Sequence, residues 1–458
     1  MSFFRSLSLV FAVLCAAPAT ALELTVSPSD RLWTEDGAII VSDAEPGAEV
    51  ALIATLTDEN GVVWSSRSVY FADNTGRVEV SRAASVGGTY KGVDPHGPFW
   101  SLLPADPEEI ESQSAEDISP TAPRVPRLSS ERPASVFLTA ITGESEANDS
   151  VTLRMVGSDV GIHEVNEAGL RGRYFSPSGE GSHSAVLIVT GSGGGVNARA
   201  AGILASEGFA VFALAHFGYE GRPDELANIP LEYFETAINW LRAEAGVDKV
   251  GLLGNSRGGE AVLLIASTFP DHVGAVMSGV PSNVIWGGCC TAAAVKEPAW
   301  TLDGNPLPYS PYPFEEDRWG FEYLTDSVGF RDFYMPGMMG SSDDNAATIA
   351  VENIRAPILL QSGAADLMWP SSIAAEQIVG RLTAKNFAYP VENYVYPAGG
   401  HRVTFGIPVT IRASEVTHPV TGTTMYLGGD PAANAEGGRL SFERTVAFFD
   451  KYLNAAED

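Results

Sequence analysis

The most constraining feature of the sequence is a serine held between two glycines, in the run GNSRG over residues 254–258. An apolar strand precedes this run and an amphipathic helix over 257–267 follows it, which predicts a sharp strand-to-helix turn at Ser256. The pattern alone occurs by chance in many chains, and a serine before a helix often serves only as its N-cap. The strand-turn-helix setting favours Ser256 as an exposed nucleophile.

A serine hydroxyl is a poor nucleophile until a base takes its proton, so a histidine is required. Where a nucleophilic serine follows a strand in this way, the histidine comes last in chain order. His401 follows a predicted strand in a glycine-containing loop, whereas His418 follows no strand and is typical of an exposed turn. We therefore expect His401 to be the general base.

An acid between serine and histidine in the chain should hold the imidazole in the right tautomer. Asp366 follows the apolar run 357–363 in a loop of small residues. Asp343 and Asp344 lie in a polar stretch before that strand. The pattern favours Asp366 as the orienting acid, with helix capping as the alternative.

Acyl transfer also requires N–H donors for the developing oxyanion. The backbone of Arg257, which follows the serine, is one predicted donor. The glycine-rich loop GSGGG at 191–195 joins a strand to a helix and offers Gly193 and Gly194 as the second. Such a loop could instead hold phosphate, but it lacks the Lys-Ser/Thr ending of a phosphate-binding loop.

Two kinds of secondary-structure pattern divide the chain. Short alternating segments predict an immunoglobulin-like antiparallel β-sandwich over residues 22–165, containing an exposed Pro-, Ser- and Glu-rich loop at 104–133. Continuous apolar strands alternating with amphipathic helices predict a catalytic domain over 166–458, a mostly parallel sheet with helices on both faces. The predicted strands of this sheet lie at 185–189, 210–214, 250–253, 273–276, 357–360 and 394–396, and the predicted helices at 198–206, 231–243, 257–267, 372–382 and 440–453.

The alternation lapses between residues 283 and 345, where the sequence is rich in glycine, proline and aromatic residues. Such an insertion could cover the carboxyl edge of the sheet and wall an apolar pocket. It could equally be a surface excursion that packs its own aromatic side chains. The aromatic residues concerned are Trp286, Trp300, Tyr309, Tyr312, Phe314 and Trp319.

The first 21 residues predict a secretory signal. Arg5 precedes an apolar run that is too short to span a membrane, and ATA at 19–21 offers a small-x-small cleavage site after Ala21. The alternative is a membrane anchor. No later segment is apolar enough to span a bilayer, so we expect a periplasmic or secreted protein.

Composition narrows the function classes. The formal charge of −29 makes nucleic acid an unlikely partner class, and a polyanionic substrate would need a local basic pocket. Cys289 and Cys290 carry no metal signature. We favour two small buried thiol side chains, with a vicinal disulfide as the alternative.

Several segments resemble one known family, the acyl-CoA thioesterases together with bile acid-CoA:amino acid N-acyltransferase. They include GFAV at 208–211, GLLGNSRGGE at 251–260, YPAGGH at 396–401, GGDP at 428–431 and, in the sandwich, GGTY at 87–90. The resemblance implies an α/β-hydrolase fold behind a β-sandwich. It also implies a Ser/Asp/His triad at Ser256, Asp366 and His401 that cleaves acyl-CoA thioesters of fatty-acid metabolism through an acyl-enzyme, with no cofactor. The amidating branch of the family uses a cysteine nucleophile, so the serine favours hydrolysis.

Three functions remain open on the sequence. The first is an acyl-CoA thioesterase-like serine hydrolase acting on a small-molecule thioester. The second is an exported carboxylesterase or lactonase that uses the same triad. The third is a non-catalytic binding protein with a hydrolase scaffold. Oligomeric state is not predicted by any feature of the sequence.

Overall fold

The computed structural model describes residues 21–110, 124–179, 183–291, 293–312, 330–404, 414–417 and 424–454. The predictions made for residues 1–20, His418, Phe314, Trp319 and the middle of the 104–133 loop fall outside these ranges.

Two sheets packed face to face form the N-terminal domain. One has three strands in the order β1-β3-β6, and the other has six in the order β2-β9-β8-β4-β5-β7. All their pairings are antiparallel except that of β2 with β9, and alternate side chains of strands such as β8 point into a shared core. The elements are β1 (Glu23–Ser27), β2 (Asp30–Leu32), β3 (Ala38–Ser42), β4 (Glu49–Thr57), β5 (Val63–Phe71), β6 (Val78–Glu79), β7 (Gly87–Gly88), α1 (Gly97–Trp100), β8 (Ala134–Thr142) and β9 (Ser145–Arg154).

The rest of the described chain is built on an eight-stranded sheet and its helices. The elements are β10 (Gly161–Val165), β11 (Gly172–Ser176), β12 (Ala185–Val189), α2 (Ala198–Ser206), β13 (Ala210–Leu214), β14 (Ile229–Pro230), α3 (Glu232–Ala245), β15 (Val250–Asn255), α4 (Arg257–Thr268), β16 (Val273–Gly279), β17 (Trp300–Leu302), β18 (Asn305–Pro306), α5 (Arg331–Met339), β19 (Ile358–Gly363), α6 (Ser371–Ala384), β20 (Val391–Tyr396), β21 (Glu415–Thr417), β22 (Thr424–Tyr426) and α7 (Pro431–Leu453).

The large sheet has the order β10-β11-β13-β12-β15-β16-β19-β20. Its strands are parallel from β13 to β20, while β10 and β11 join antiparallel at one edge. The central strands β12 and β13 are buried along their whole length, as expected for parallel strands covered on both faces. Helices α3, α4 and α6 pack on one face, and α2 and α7 pack on the other.

Two boundaries differ from the prediction. Strand β10 pairs with β11 in the large sheet, so this sheet begins before the predicted boundary between residues 165 and 166. Helix α7 begins at Pro431 instead of residue 440, because Asp430 caps it: its carboxylate accepts the N–H groups of Ala432 and Ala433.

The sandwich core is completed by the catalytic domain. Ile203 of α2 is buried in the same apolar cluster as the sandwich residues, and Ala435 and Phe442 of α7 pack against that cluster. The two domains therefore share one apolar interface in addition to their separate cores.

Candidate active site

Ser256 forms the turn between β15 and α4, with a backbone φ of 60° and ψ of −125°. A positive φ is strained for a residue with a Cβ atom, so surrounding contacts must hold the turn. The Ser256 N–H donates to the carbonyl of Gly279 at 2.9 Å. A Cβ atom on Gly254 would lie 2.1 Å from the Gly258 carbonyl oxygen, and one on Gly258 would lie 2.4 Å from that of Val189. Backbone packing therefore requires glycine on both sides of the serine.

The structure brings the predicted serine, histidine and aspartate together at the carboxyl edge of the sheet. His401 Nε2 lies 2.9 Å from Ser256 Oγ, and His401 Nδ1 lies 2.9 Å from Asp366 Oδ2. An ionised carboxylate can only accept, so the Nδ1–H donates to Asp366 and leaves Nε2 as acceptor for the serine hydroxyl. This is the tautomer that can remove a proton from Ser256.

Asp366 is fully buried, and several donors fix its carboxylate. Oδ1 accepts the N–H groups of Met368 at 2.8 Å and Trp369 at 3.2 Å, while Oδ2 also accepts the Ser371 hydroxyl at 2.6 Å. Helix α6 begins at Ser371, five residues later. The carboxylate thus accepts hydrogen bonds from the loop that follows it, as a helix-capping residue would, and it also binds the histidine.

The loop that carries His401 is attached to its surroundings on both sides. The His401 N–H donates to the Leu427 carbonyl at 2.9 Å, and the preceding N–H of Gly400 donates to Asn434 Oδ1 at 2.8 Å. On the other side, Thr404 Oγ1 donates to Asn255 Oδ1 at 2.9 Å. The loop that carries the imidazole is therefore hydrogen-bonded, through Thr404, to the residue that precedes the nucleophile.

The glycine-rich loop passes beside the nucleophile. A Cβ atom on Gly191 would lie 3.5 Å from Ser256 Cβ and 3.8 Å from the backbone N of Arg257. The Arg257 N–H is the first of α4, where no intrahelical acceptor exists. In the loop, the Gly194 N–H donates to the Gly191 carbonyl at 3.2 Å. The N–H of the predicted donor Gly194 is thus already engaged within the loop, whereas the N–H of Gly193 has no acceptor among the described residues.

A buried ion pair lies directly behind the elbow. Arg257 Nη1 is 2.9 Å from Glu260 Oε2, and Arg257 Nη2 donates to the carbonyls of Trp286 at 3.2 Å and Gly287 at 2.8 Å. Burial raises the pKa of Glu260, and the charge of Arg257 opposes that rise. The Trp300 indole N–H also donates to Glu260 at 3.0 Å. The pair therefore connects the nucleophile helix to the aromatic-rich insertion.

The described part of that insertion packs against the loop after Asp366, and its aromatic side chains also pack on one another, as Trp286 does on Tyr312 and Tyr334. The Trp369 ring, in the loop after Asp366, lies 5.7 Å from the His401 ring at 80°. The apolar cluster around Trp369 comprises Val284, Trp286, Met338, Trp369 and Ala374, with Tyr312 and Tyr334 packed against it.

Cys289 and Cys290 are joined by a disulfide, so the favoured expectation of two free thiols is wrong. Neighbouring thiols need only a local backbone bend to meet, and the sequence carries no signal for that bend. The backbone of Cys289 exchanges two hydrogen bonds with Leu226. Cys290 Sγ lies 3.8 Å from the carbonyl oxygen of Ser192, in the glycine-rich loop. The disulfide is thus in contact with the glycine-rich loop that is predicted to supply an oxyanion donor.

No sequence pattern pointed to His216, which follows β13 and is buried against the rings of Phe234 and Trp300. Burial, reinforced by the charges of Arg222 and Arg257, lowers the pKa of His216 to about 3. The imidazole is therefore neutral throughout the ordinary pH range. It contributes ring packing behind the site.

A cavity of about 230 Å³ lies between the glycine-rich loop and β15. Thr190 is 8 % exposed, and its hydroxyl has no hydrogen-bond partner among the described residues. The lining residues are Ile188, Val189, Thr190, Gly191, Gly193, Gly194, Val196, Asn197, Leu253 and Asn255.

Nowhere in the described ranges do three or more His, Cys, Asp or Glu side chains cluster so as to hold a metal ion. No helix there combines the length and the apolar character required to cross a membrane.

A mostly parallel sheet between two helical layers, with Ser256, Asp366 and His401 in this chain order at its carboxyl edge, defines the α/β-hydrolase fold. The predicted fold class is confirmed. Two family models then match the chain: BAAT / Acyl-CoA thioester hydrolase C terminal over residues 229–455, and Acyl-CoA thioester hydrolase/BAAT N-terminal region over residues 34–165. The chain belongs to this family, as the sequence resemblance predicted.

Similar proteins span almost the whole chain. Human acyl-coenzyme A thioesterase 1 is 29% identical over 451 residues, which cover 95% of this chain and 98% of the relative. Mouse acyl-coenzyme A amino acid N-acyltransferase 1 is 28% identical over 438 residues, which cover 94% and 98%. The family relationship supports hydrolase activity for this chain.

Solved structures also resemble this chain, at lower sequence identity. Dienelactone hydrolase from Anabaena variabilis has a TM-score of 0.34 and 17% identity, covering 64% of this chain and 99% of that one. Acylaminoacyl peptidase from Pyrococcus horikoshii has a TM-score of 0.39 and 14% identity, covering 93% and 61%.

Proposed function

We propose that this protein hydrolyses acyl thioesters, with acyl-CoA as the substrate class, through an acyl-enzyme on Ser256. The observation that carries the proposal is the hydrogen-bond chain from Ser256 Oγ through His401 to Asp366, with 2.9 Å at each contact of the imidazole. Family membership supports the thioester as the bond that is cleaved, since the human relative is named an acyl-coenzyme A thioesterase.

The chemistry follows from the proton positions. His401 Nε2 takes the hydroxyl proton as Ser256 Oγ attacks the acyl carbonyl carbon. The N–H of Arg257 and a second N–H from the loop at Ser192 or Gly193 stabilise the oxyanion. The C–S bond then breaks, and the thiol leaves with the proton from His401. Water, deprotonated by the same imidazole, then adds to the acyl carbon. The C–O bond to Ser256 breaks, Oγ takes the proton back from His401, and the carboxylic acid leaves.

Water is the proposed acceptor of the acyl group in preference to an amine. The sequence resemblance implies a cysteine nucleophile in the amidating branch, and this chain has Ser256 at that position. An oxygen ester is a less activated acyl donor toward amines than a thioester, so a seryl intermediate suits hydrolysis.

A fluorophosphonate probe tests the nucleophile. We expect the folded protein to be labelled at Ser256, as read by peptide mass spectrometry, and Ser256→Ala to be neither labelled nor active. Asp430→Ala, at the start of α7 and outside the triad, is the labelled control. Absence of labelling in folded wild-type protein would remove the enzyme proposal.

Paired substrates test the leaving group. For one acyl chain, kcat/KM is measured with the coenzyme A thioester and with an oxygen ester, and we expect the thioester to be favoured at least tenfold. An ester preference of 100-fold or more would favour the carboxylesterase alternative and reject the acyl-CoA proposal.

We also propose that the chain is exported and that its mature form begins at Leu22. The small residues at 19–21 support this cleavage, and β1 begins at Glu23, so removal of residues 1–21 leaves the described strands intact. Mass spectrometry of the periplasmic fraction should find Leu22 at the N-terminus, while Ala21→Arg retains the precursor. An uncleaved chain confined to the cytoplasm would contradict export.

A further inference from the structure

Two arginines near the proposed active site have no carboxylate partner among the residues that the structure describes. Arg402 directly follows His401, and within the described residues its guanidinium forms no hydrogen bond or ion pair. Arg199 lies in the first turn of α2, and the hydrogen bond recorded for it is a long one, 3.5 Å to the carbonyl of Leu128. Elsewhere, arginines meet acids closely, as in the two-point contact of Arg154 with Asp30 at 2.6 Å.

The two guanidinium groups are close enough to interact. The protein around Arg402 desolvates it and lowers its pKa, although its side chain keeps solvent-accessible surface, and the positive charge of Arg199 lowers that pKa further. Burial also lowers the pKa of Arg199. Arg402 is exposed and Arg199 is partly exposed, so both guanidinium groups are accessible to a ligand. Two like charges near each other repel, and an anion between them would relieve that repulsion.

Both arginines are close in the chain to residues at the cavity beside the nucleophile. Arg199 comes two residues after Asn197, and Arg402 comes two residues before Thr404, whose hydroxyl bonds Asn255 at 2.9 Å. Asn197 and Asn255 both line the cavity, as does the unpartnered hydroxyl of Thr190. A ligand whose acyl carbon reached Ser256 could therefore extend toward both guanidinium groups.

The charge of the whole chain makes these two residues significant. A formal charge of −29 repels a polyanion at long range. A substrate that carries phosphates therefore requires a local positive site, and guanidinium groups bind phosphate oxygens with two parallel hydrogen bonds. Two arginines that have no carboxylate partner among the described residues supply that site.

We propose that Arg199 and Arg402 together bind a phosphate group of the thiol half of the substrate, and so determine specificity for coenzyme A thioesters. This inference rests on the proposed thioesterase function. It assigns the two arginines to substrate binding and leaves the chemical steps to the triad.

The test compares two thioesters of the same acyl chain, one with coenzyme A and one with N-acetylcysteamine, which has no phosphate. For the double variant Arg199→Gln/Arg402→Gln we expect kcat/KM with the coenzyme A thioester to fall 10- to 100-fold, mainly through KM. With the N-acetylcysteamine thioester it should stay within twofold of wild type. The single variant Arg402→Lys, which keeps Arg199 and a positive charge at position 402, should lose less than the double variant. Arg355→Gln, whose partner Asp271 lies before β16 at the opposite edge of the sheet, is the matched control.

Equal losses with both thioesters would overturn the proposal, because they would show a general structural defect. No loss with the coenzyme A thioester would overturn it as well.

A binding measurement separates this inference from the proposed function. Adenosine 3′,5′-bisphosphate is titrated into Ser256→Ala protein with and without the two arginine substitutions. Binding that falls at least tenfold in the arginine variant supports the phosphate site even if wild-type protein cleaves no acyl-CoA, in which case only the proposed function fails. Binding that is absent or unchanged by the substitutions rejects the site.

Discussion

Asp366 is held more tightly than its role in orienting one imidazole would require. Its two oxygens accept two backbone N–H groups, the Ser371 hydroxyl and His401 Nδ1–H. Such a set fixes the direction of the carboxylate and gives each of its oxygens a donor, although the side chain is fully buried. The histidine therefore meets an acceptor that cannot turn away, and its tautomer is set before substrate arrives.

Replacing Asp366 by asparagine tests the effect of the negative charge apart from that of side-chain size. Asp366→Asn keeps the size of the side chain but can present an N–H₂ group to His401, which favours the wrong tautomer. We expect kcat to fall by about 10³- to 10⁴-fold. Ser371→Ala removes one donor and leaves the tautomer unchanged, so we expect a loss of about tenfold or less.

Steady-state kinetics on both variants, with folding checked by circular dichroism, measures the difference. Similar losses in Asp366→Asn and Ser371→Ala would mean that the carboxylate serves only to pack the loop.

Single residues were predictable from sequence where chain order and strand ends constrain them. The serine, histidine and aspartate each follow an apolar strand, and the structure brings all three within hydrogen-bond contact. The bend that joins Cys289 to Cys290 and the turn that engages the Gly194 N–H depend on local backbone conformation, which composition does not encode. The interaction of Arg199 with Arg402 depends on how α2 meets the loop after β20, so no short motif could reveal it.

At the scale of elements, the turn at Ser256 between β15 and α4 is the junction with the strictest steric requirement. Strand β15 enters it and α4 leaves it within three residues, because Gly254 and Gly258 let backbone approach backbone at distances that exclude a side chain. Gly380 presents the opposite case, since a Cβ atom there would meet nothing within 4 Å in the middle of α6.

The two glycines should therefore respond oppositely to alanine. We expect Gly254→Ala to lower the free energy of unfolding by about 2 kcal/mol or more, because the new methyl group would overlap the Gly258 carbonyl. Gly380→Ala should raise it by about 0.5–1 kcal/mol, because alanine loses less backbone entropy in a helix. Urea unfolding followed by circular dichroism measures both. A Gly254→Ala protein as stable as wild type would show that the turn can relax.

Elements with strong periodicity were well predicted. The strands at 185–189 and 210–214 and the helix at 198–206 match the structure residue for residue. Strand β10 fell within the predicted sandwich range instead, because an antiparallel edge strand has the same short alternating pattern as sandwich strands. The early start of α7 had a signal in Asp430-Pro431, the N-cap and first-turn proline of a helix.

At the scale of the whole molecule, the domains are joined by apolar packing. Ile203 of α2 lies in the sandwich core, while its neighbour Leu204 lies in the core beneath the large sheet. The two kinds of secondary-structure pattern predicted two domains but not this sharing, because the periodicity of α2 shows two apolar faces without showing what covers each. The same helix carries Arg199 and follows the glycine-rich loop, so the sandwich supports an element that borders the active site.

This sharing predicts that the two domains unfold together. We expect a single calorimetric transition for wild-type protein, and Ile203→Ala, which opens a cavity in the sandwich core, should cost about 2–5 kcal/mol and lower that one transition by about 2–5 °C. Leu204→Ala is the matched control, with a cavity on the other face of the same helix, and it should lower the same transition. If Ile203→Ala instead gave two transitions with the upper one at the wild-type temperature, the sandwich would be an independent unit and α2 would not couple it to the active site.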